Sequence, residues 1–86
     1  MLQTILRLPA VKSETGYSRS TIYLRIYEGL WTSPVKLGAR AVGWPADEVA
    51  ALNRARITGL TNDEIRALVV KLEAARKSAT QGEGGR

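Results

Sequence analysis

The sequence predicts a mainly α fold with a small β-hairpin, a winged helix-turn-helix extended by an additional C-terminal helix. Three observations predict it. Over residues 16–29 a glycine-led turn opens a short helix with a polar, basic start and an apolar opposite face. Residues 35–44 alternate in character around a second glycine-led turn. From Thr61 onward a capping signal introduces an apolar stripe at helical spacing. At 86 residues the chain is one small domain with a modest core.

Each element has a local cause. Ile5 and Leu6 form an apolar lead-in suited to a short strand. Leu8 and Pro9 open a first helix, where proline at an initial position gives up no hydrogen bond, and Gly16 ends it after Thr15. Ser18 is placed to cap a second helix, in which Ile22 and Ile26 share one face and which Gly29 stops. After an irregular stretch over 30–34, Val35 and Leu37 are expected to point one way, with Val42 and Trp44 matching them across the turn at 38–41. Pro45 begins a third helix, with Asp47 and Glu48 in the first turn where the helix dipole favours acids. Val49, Leu52 and either Ala55 or Arg56 trace its buried side. Residues 57–60 break it. Thr61 and Glu64 then form a capping box for a fourth helix reading to about Lys77, with Ile65, Leu68, Val69, Leu72 and Ala75 as its stripe. The expected organisation is a winged helix-turn-helix over 1–57, a C-terminal helix over 58–78 and a glycine-rich disordered tail over 79–86.

Composition removes several classes of function. Without cysteine or histidine there are no disulfides and none of the usual zinc or copper sites, and no dense carboxylate loop suggests calcium or magnesium. No cofactor is expected. Enzymatic acid–base or nucleophilic work lacks its usual residues, and Asp47 and Glu48 read as first-turn helix acids rather than a catalytic pair. Residues 1–8 lack the basic head and apolar run of a signal peptide, and no run approaches the roughly 20 apolar residues of a membrane span. The expected location is cytoplasmic, on the nucleoid. The net charge is +5, and it is unevenly placed. Residues 1–44 hold six bases (Arg7, Lys12, Arg19, Arg25, Lys36, Arg40) against two acids, whereas 45–86 hold seven against six. The excess sits with the second helix and the hairpin, the distribution expected of a nucleic-acid binder.

Together, Leu8-Pro9-Ala10-Val11, Thr15-Gly16-Tyr17-Ser18-Arg19-Ser20-Thr21-Ile22-Tyr23, Pro34-Val35-Lys36-Leu37-Gly38 and Val42-Gly43-Trp44 resemble the AlpA family. Those are small phage- and prophage-associated transcriptional regulators, related to MerR-like winged helices and to excisionases. The resemblance covers roughly residues 5–56 and implies double-stranded DNA as partner, with RNA polymerase or a recombinase as a further one. Two positions depart from it. Leu52-Asn53 stands where relatives often carry a tryptophan, and Leu24 where they often carry a base. The second departure implies a different operator sequence.

On a helical wheel with Ile22 and Ile26 inward, Ser20, Leu24 and Tyr27 lie opposite, flanked by Thr21 and Tyr23. Arg19 and Ser20 are the expected base or phosphate contacts, Thr21 suits a thymine methyl or a phosphate, and Tyr23 and Arg25 suit phosphates. Lys36 and Arg40 belong to the wing, along the backbone or in the minor groove. Arg7 and Lys12 are weaker phosphate candidates. Several residues have plain structural alternatives: Ser18 as a cap, Arg25 paired with Glu28, Tyr23 and Tyr27 covering the core edge, Trp31 and Trp44 as core. Glu64, Arg66, Lys71, Glu73, Arg76 and Lys77 read as a solvated face. The stripe of Ile65, Leu68, Val69 and Leu72 fits either intramolecular packing or a homodimer. The leading expectation is a sequence-specific DNA-binding transcriptional regulator. The alternatives are an excisionase-like architectural factor that bends attachment-site DNA and a protein-interaction adaptor built on the winged scaffold.

Overall fold

The computed structural model describes residues 4–84, with side chains as far as Lys77. The chain runs β1 (Ile5–Arg7), α1 (Leu8–Thr15), α2 (Arg19–Tyr27), β2 (Val35–Lys36), β3 (Val42–Pro45), α3 (Ala46–Ile57) and α4 (Asn62–Gly84). It is mainly helical, with one small three-stranded antiparallel sheet of order β1-β3-β2. No helix among the described residues is long and apolar enough to cross a membrane.

The lead-in and the hairpin are one sheet. β3 is its central strand, pairing Leu6 with Trp44 on one side and Lys36 with Val42 on the other. This register corrects the expected facing of the hairpin. Directly opposed residues share a face, so Val42 and Trp44 lie with Lys36 and Leu6, while Val35 lies with Gly43. The alternation within each strand is as expected, but its phase between strands differs by one residue, which moves every side chain to the other face. Gly43 faces β1 with no room for a side chain. A Cβ there would stand 2.5 Å from Ile5 Cγ2, 2.9 Å from the Leu6 carbonyl oxygen and 3.1 Å from Leu37 Cδ1.

Helix ends follow local chemistry. α2 closes in a Schellman motif: Leu30 N–H donates to the Arg25 carbonyl (2.7 Å) and Gly29 N–H to that of Ile26 (3.1 Å). Gly29 takes the left-handed φ of 80° that this motif requires. The same pair of bonds ends α3, from Leu60 to Ala55 and from Gly59 to Arg56. At the start of α4 the capping box is complete, with Thr61 N–H donating to Glu64 Oε1 (2.8 Å) and Glu64 N–H to Thr61 Oγ1 (3.2 Å).

The core gathers Val11, Ile22, Leu30, Trp31, Trp44, Val49, Leu52, Ala55, Ile65 and Val69. Every helix contributes to it, and so does the central strand. α4 therefore lies on its own domain. Ile65 and Val69 are buried, and Leu68 and Leu72 pack against the same cluster, so this stripe is not a free face for a homodimer. Polar contacts hold α4 as well, and they correct the expectation of a solvated face. Arg66 Nε donates to the Glu28 carbonyl at the end of α2 (3.0 Å). Ser33 is gripped twice, its N–H donating to Glu73 Oε2 (2.7 Å) and its carbonyl accepting from Arg76 (2.8 Å). Arg76 also makes a bidentate pair with Glu48 (2.6 and 2.8 Å), whose carboxylate is almost fully buried. Glu48 is thus more than a first-turn helix acid. Its hydrogen bond holds the Arg76 guanidinium above its ordinary range, against the opposing effect of burial, with the Glu48 and Glu73 charges assisting.

The backbone of α4 stays helical to Gly84, beyond the expected end near Lys77, because no proline interrupts the residues that follow. Residues 85 and 86 of the expected disordered tail lie outside the described residues.

Two substitutions test these contacts. Arg76→Met leaves a buried carboxylate without its partner and is expected to cost about 2–4 kcal/mol in urea unfolding. The double variant Arg76→Met with Glu48→Leu should recover most of that loss, since it removes the stranded charge as well. Gly43→Ala should destabilise the chain by about 1–3 kcal/mol, because the Leu6 carbonyl cannot retreat without opening the β1–β3 ladder.

Candidate nucleic-acid interface

α2 presents two unlike faces because apolar and polar residues fall on opposite sides of a 3.6-residue period. Ile22 is fully buried and Ile26 packs beside the core. About 200° around the axis from Ile22, Leu24 is 54 % exposed, and Tyr27, one turn on, is 88 % exposed. Arg19 and Ser20 are exposed at the helix start.

The first turn of α2 is capped and basic. Ser18 caps it, its Oγ accepting from Thr21 N–H (3.2 Å) and pairing with the Thr21 hydroxyl (3.0 Å). The N–H groups of Arg19 and Ser20 are left pointing out of the helix end. No acidic residue stands in this turn to satisfy the positive pole of the helix, and Arg19 adds a cation there. Such an arrangement is unfavourable for an isolated helix and favourable for a bound phosphate.

Two cation–aromatic ladders tie the surface arginines to buried tryptophans. Arg19 lies over the Tyr23 ring (5.1 Å to its centroid), and Tyr23 meets Trp44 edge-on at 6.3 Å. Arg25 lies over Tyr17 (5.4 Å), which meets Trp31 edge-on at 6.1 Å. Arg25 therefore stacks on Tyr17 rather than pairing with Glu28. Both tryptophans are core residues, as their setting beside the hairpin suggested, and the Trp44 indole N–H donates to the Thr32 carbonyl (2.9 Å).

The hairpin joins this surface through its register. Trp44, Val42 and Lys36 share one face of the sheet, and Tyr23 of α2 packs on Trp44 of that face. Lys36 is exposed on the side of the sheet that α2 meets, and Arg40 is exposed in the bend between the strands. Arg19 and Ser20 stand exposed at the start of α2, Tyr23 packs on Trp44, and Lys36 lies on the same face of the sheet as Trp44. Thr21 is half-buried with its hydroxyl engaged by Ser18, and Arg25 is held on the flank. Tyr27 does not cover the core edge; its side chain is almost fully exposed.

The family described as Prophage CP4-57 regulatory protein (AlpA) matches residues 4–57, more than half of the chain. The chain belongs to the AlpA family. It is 42 % identical over 57 residues to Uncharacterized protein ORF88 of Enterobacteria phage P4, a match covering 66 % of this chain and 65 % of that protein. The chain thus spans a little under two thirds of the curated relative it matches. No solved structure gives a significant match. The matched family is one of phage regulatory proteins. The AlpA match takes in every element from β1 through α3 and stops before α4.

A pair of serine variants separates capping from display. Ser18→Ala should cost about 1 kcal/mol of stability in urea unfolding, whereas Ser20→Ala, exposed and uninvolved in the cap, should leave the midpoint unchanged.

Proposed function

We propose that this AlpA-family protein is a sequence-specific DNA-binding transcriptional regulator, with α2 lying in the major groove and the β2–β3 hairpin serving as a wing. In this reading residues 1–57 are the DNA-binding unit and α4 braces it from behind. The observation that carries the proposal is the exposed start of α2, where Arg19 and Ser20 stand beside a helix pole with no acid to neutralise it. Arg19 and Ser20 meet base edges or phosphates, Tyr23 offers its hydroxyl to a phosphate, and Arg25 grips backbone from the flank. Lys36 and Arg40 of the wing hold the backbone or the minor groove. Bound at a promoter or operator, the protein acts by recruiting or excluding RNA polymerase.

Titration of fluorescent duplex from the gene's own upstream region tests this. Binding should exceed that of scrambled duplex and weaken steeply with salt. Arg19→Ala should lower affinity about tenfold, the loss of one charge-assisted contact. Lys36→Ala and Arg40→Ala should each flatten the logarithmic salt dependence by about 0.9. Equal binding to both duplexes, with no salt dependence, overturns the proposal.

A further inference from the structure

We infer that Leu24 is a specificity-determining residue that reads the 5-methyl group of a thymine. The inference rests on the proposed placement of α2 in the major groove and names what the middle of that helix recognises there.

Leu24 is out of place by ordinary folding criteria. It is the one aliphatic side chain on the exposed face of α2, one turn after Ser20 and nearly one turn before Tyr27. The core beneath α2 is supplied by Ile22 and Ile26 on the other side. Leu24 thus contributes little to stability where it stands. Its surroundings are those of an anion-facing surface: α2 has no acidic residue, and Arg19 and Arg25 stand before and after it.

An aliphatic group at that place can satisfy only one feature of a base edge. Guanine and adenine present nitrogen and oxygen groups in the major groove, and cytosine an amino donor; thymine alone adds a methyl group. Leucine has no polar atom. Set against a purine it strips water from acceptors and donors and replaces none of their hydrogen bonds, which is unfavourable. Set against thymine it covers a methyl group and removes apolar surface of both partners from water. Leu24 therefore selects thymine twice over, by burying the methyl and by penalising the purines. Its rise of about 6 Å along the helix from Ser20 places that thymine one to two base steps from the base met by Ser20.

The test uses the full chain and duplexes selected by it from a randomised pool. Selected duplexes should share a thymine, and replacing that thymine with deoxyuridine, which lacks only the methyl, should weaken binding about fourfold. Leu24→Ala should bind thymine and deoxyuridine duplexes equally; alanine is the better helix former at an exposed site, so the variant folds. Leu24→Gln should shift the selected base away from thymine. If the wild type prefers its selected duplex to a scrambled one but no deoxyuridine replacement separates it from Leu24→Ala, the role of Leu24 is overturned and DNA binding stands. If the wild type distinguishes no selected duplex from a scrambled one, the sequence-specific reading by α2 fails, and the role of Leu24 with it.

Discussion

The burial of Trp44 is the constraint on which the rest of the structure depends. Its indole is fully enclosed, and its N–H donates to the Thr32 carbonyl, so the ring has one position and one orientation. Four parts of the chain are placed by it. β1 pairs across from it at Leu6, the hairpin carries it in β3, α2 rests Tyr23 on its edge, and the loop leading to β2 is tied to its nitrogen. A buried aromatic with a satisfied polar handle sets position and orientation together, which an aliphatic residue of similar volume does not. The relation between α2 and the hairpin follows from this one side chain.

Contacts of the same kind hold two surface cations in place. Arg19 and Arg25 do not wave freely from the surface; each lies on a tyrosine that leans on a buried tryptophan. Stacking on an aromatic face limits the rotamers of a long side chain and leaves its guanidinium donors turned outward. Under the proposed function, less side-chain freedom is then left to be lost on contact with a phosphate, which is the physical meaning of a pre-organised contact.

α4 lies outside the AlpA match, yet it closes the domain. It contributes Ile65 and Val69 to the core and holds the loop between α2 and β2 by both backbone groups of Ser33. Arg66 meets the carbonyl end of α2, where a cation is favoured by the helix dipole. The buried Glu48–Arg76 pair fixes α4 against the start of α3. α4 thereby holds the segment that connects α2 to the hairpin.

Much of this was legible in the chain because it is local. Ser18 as a cap, the Thr61–Glu64 capping box and the helix stops at Gly29 and Gly59 involve residues within a few positions of one another, and their chemistry admits few alternatives. The inward turn of Ile22 and the exposure of Leu24 likewise follow from helical period alone. What the sequence could not determine were distances in space between residues far apart along it. The phase of the hairpin depended on the length of its turn: Leu37 N–H donates to the Ala41 carbonyl, so the loop spans 38–40 rather than 38–41, and a one-residue change there leaves the alternation within each strand unchanged. Glu48 read as a first-turn acid because Arg76, its partner, stands 28 residues on, beyond the rest of α3 and more than half of α4. The apolar stripe of α4 fitted a second copy as well as its own domain, since periodicity states that a face must be covered and not by what. Local chemistry determined the elements, their ends and the exposed face of α2; only the tertiary structure decided which charges are buried, what covers α4 and how Lys36 comes to stand on the side of α2, because those depend on contacts that close long loops of chain.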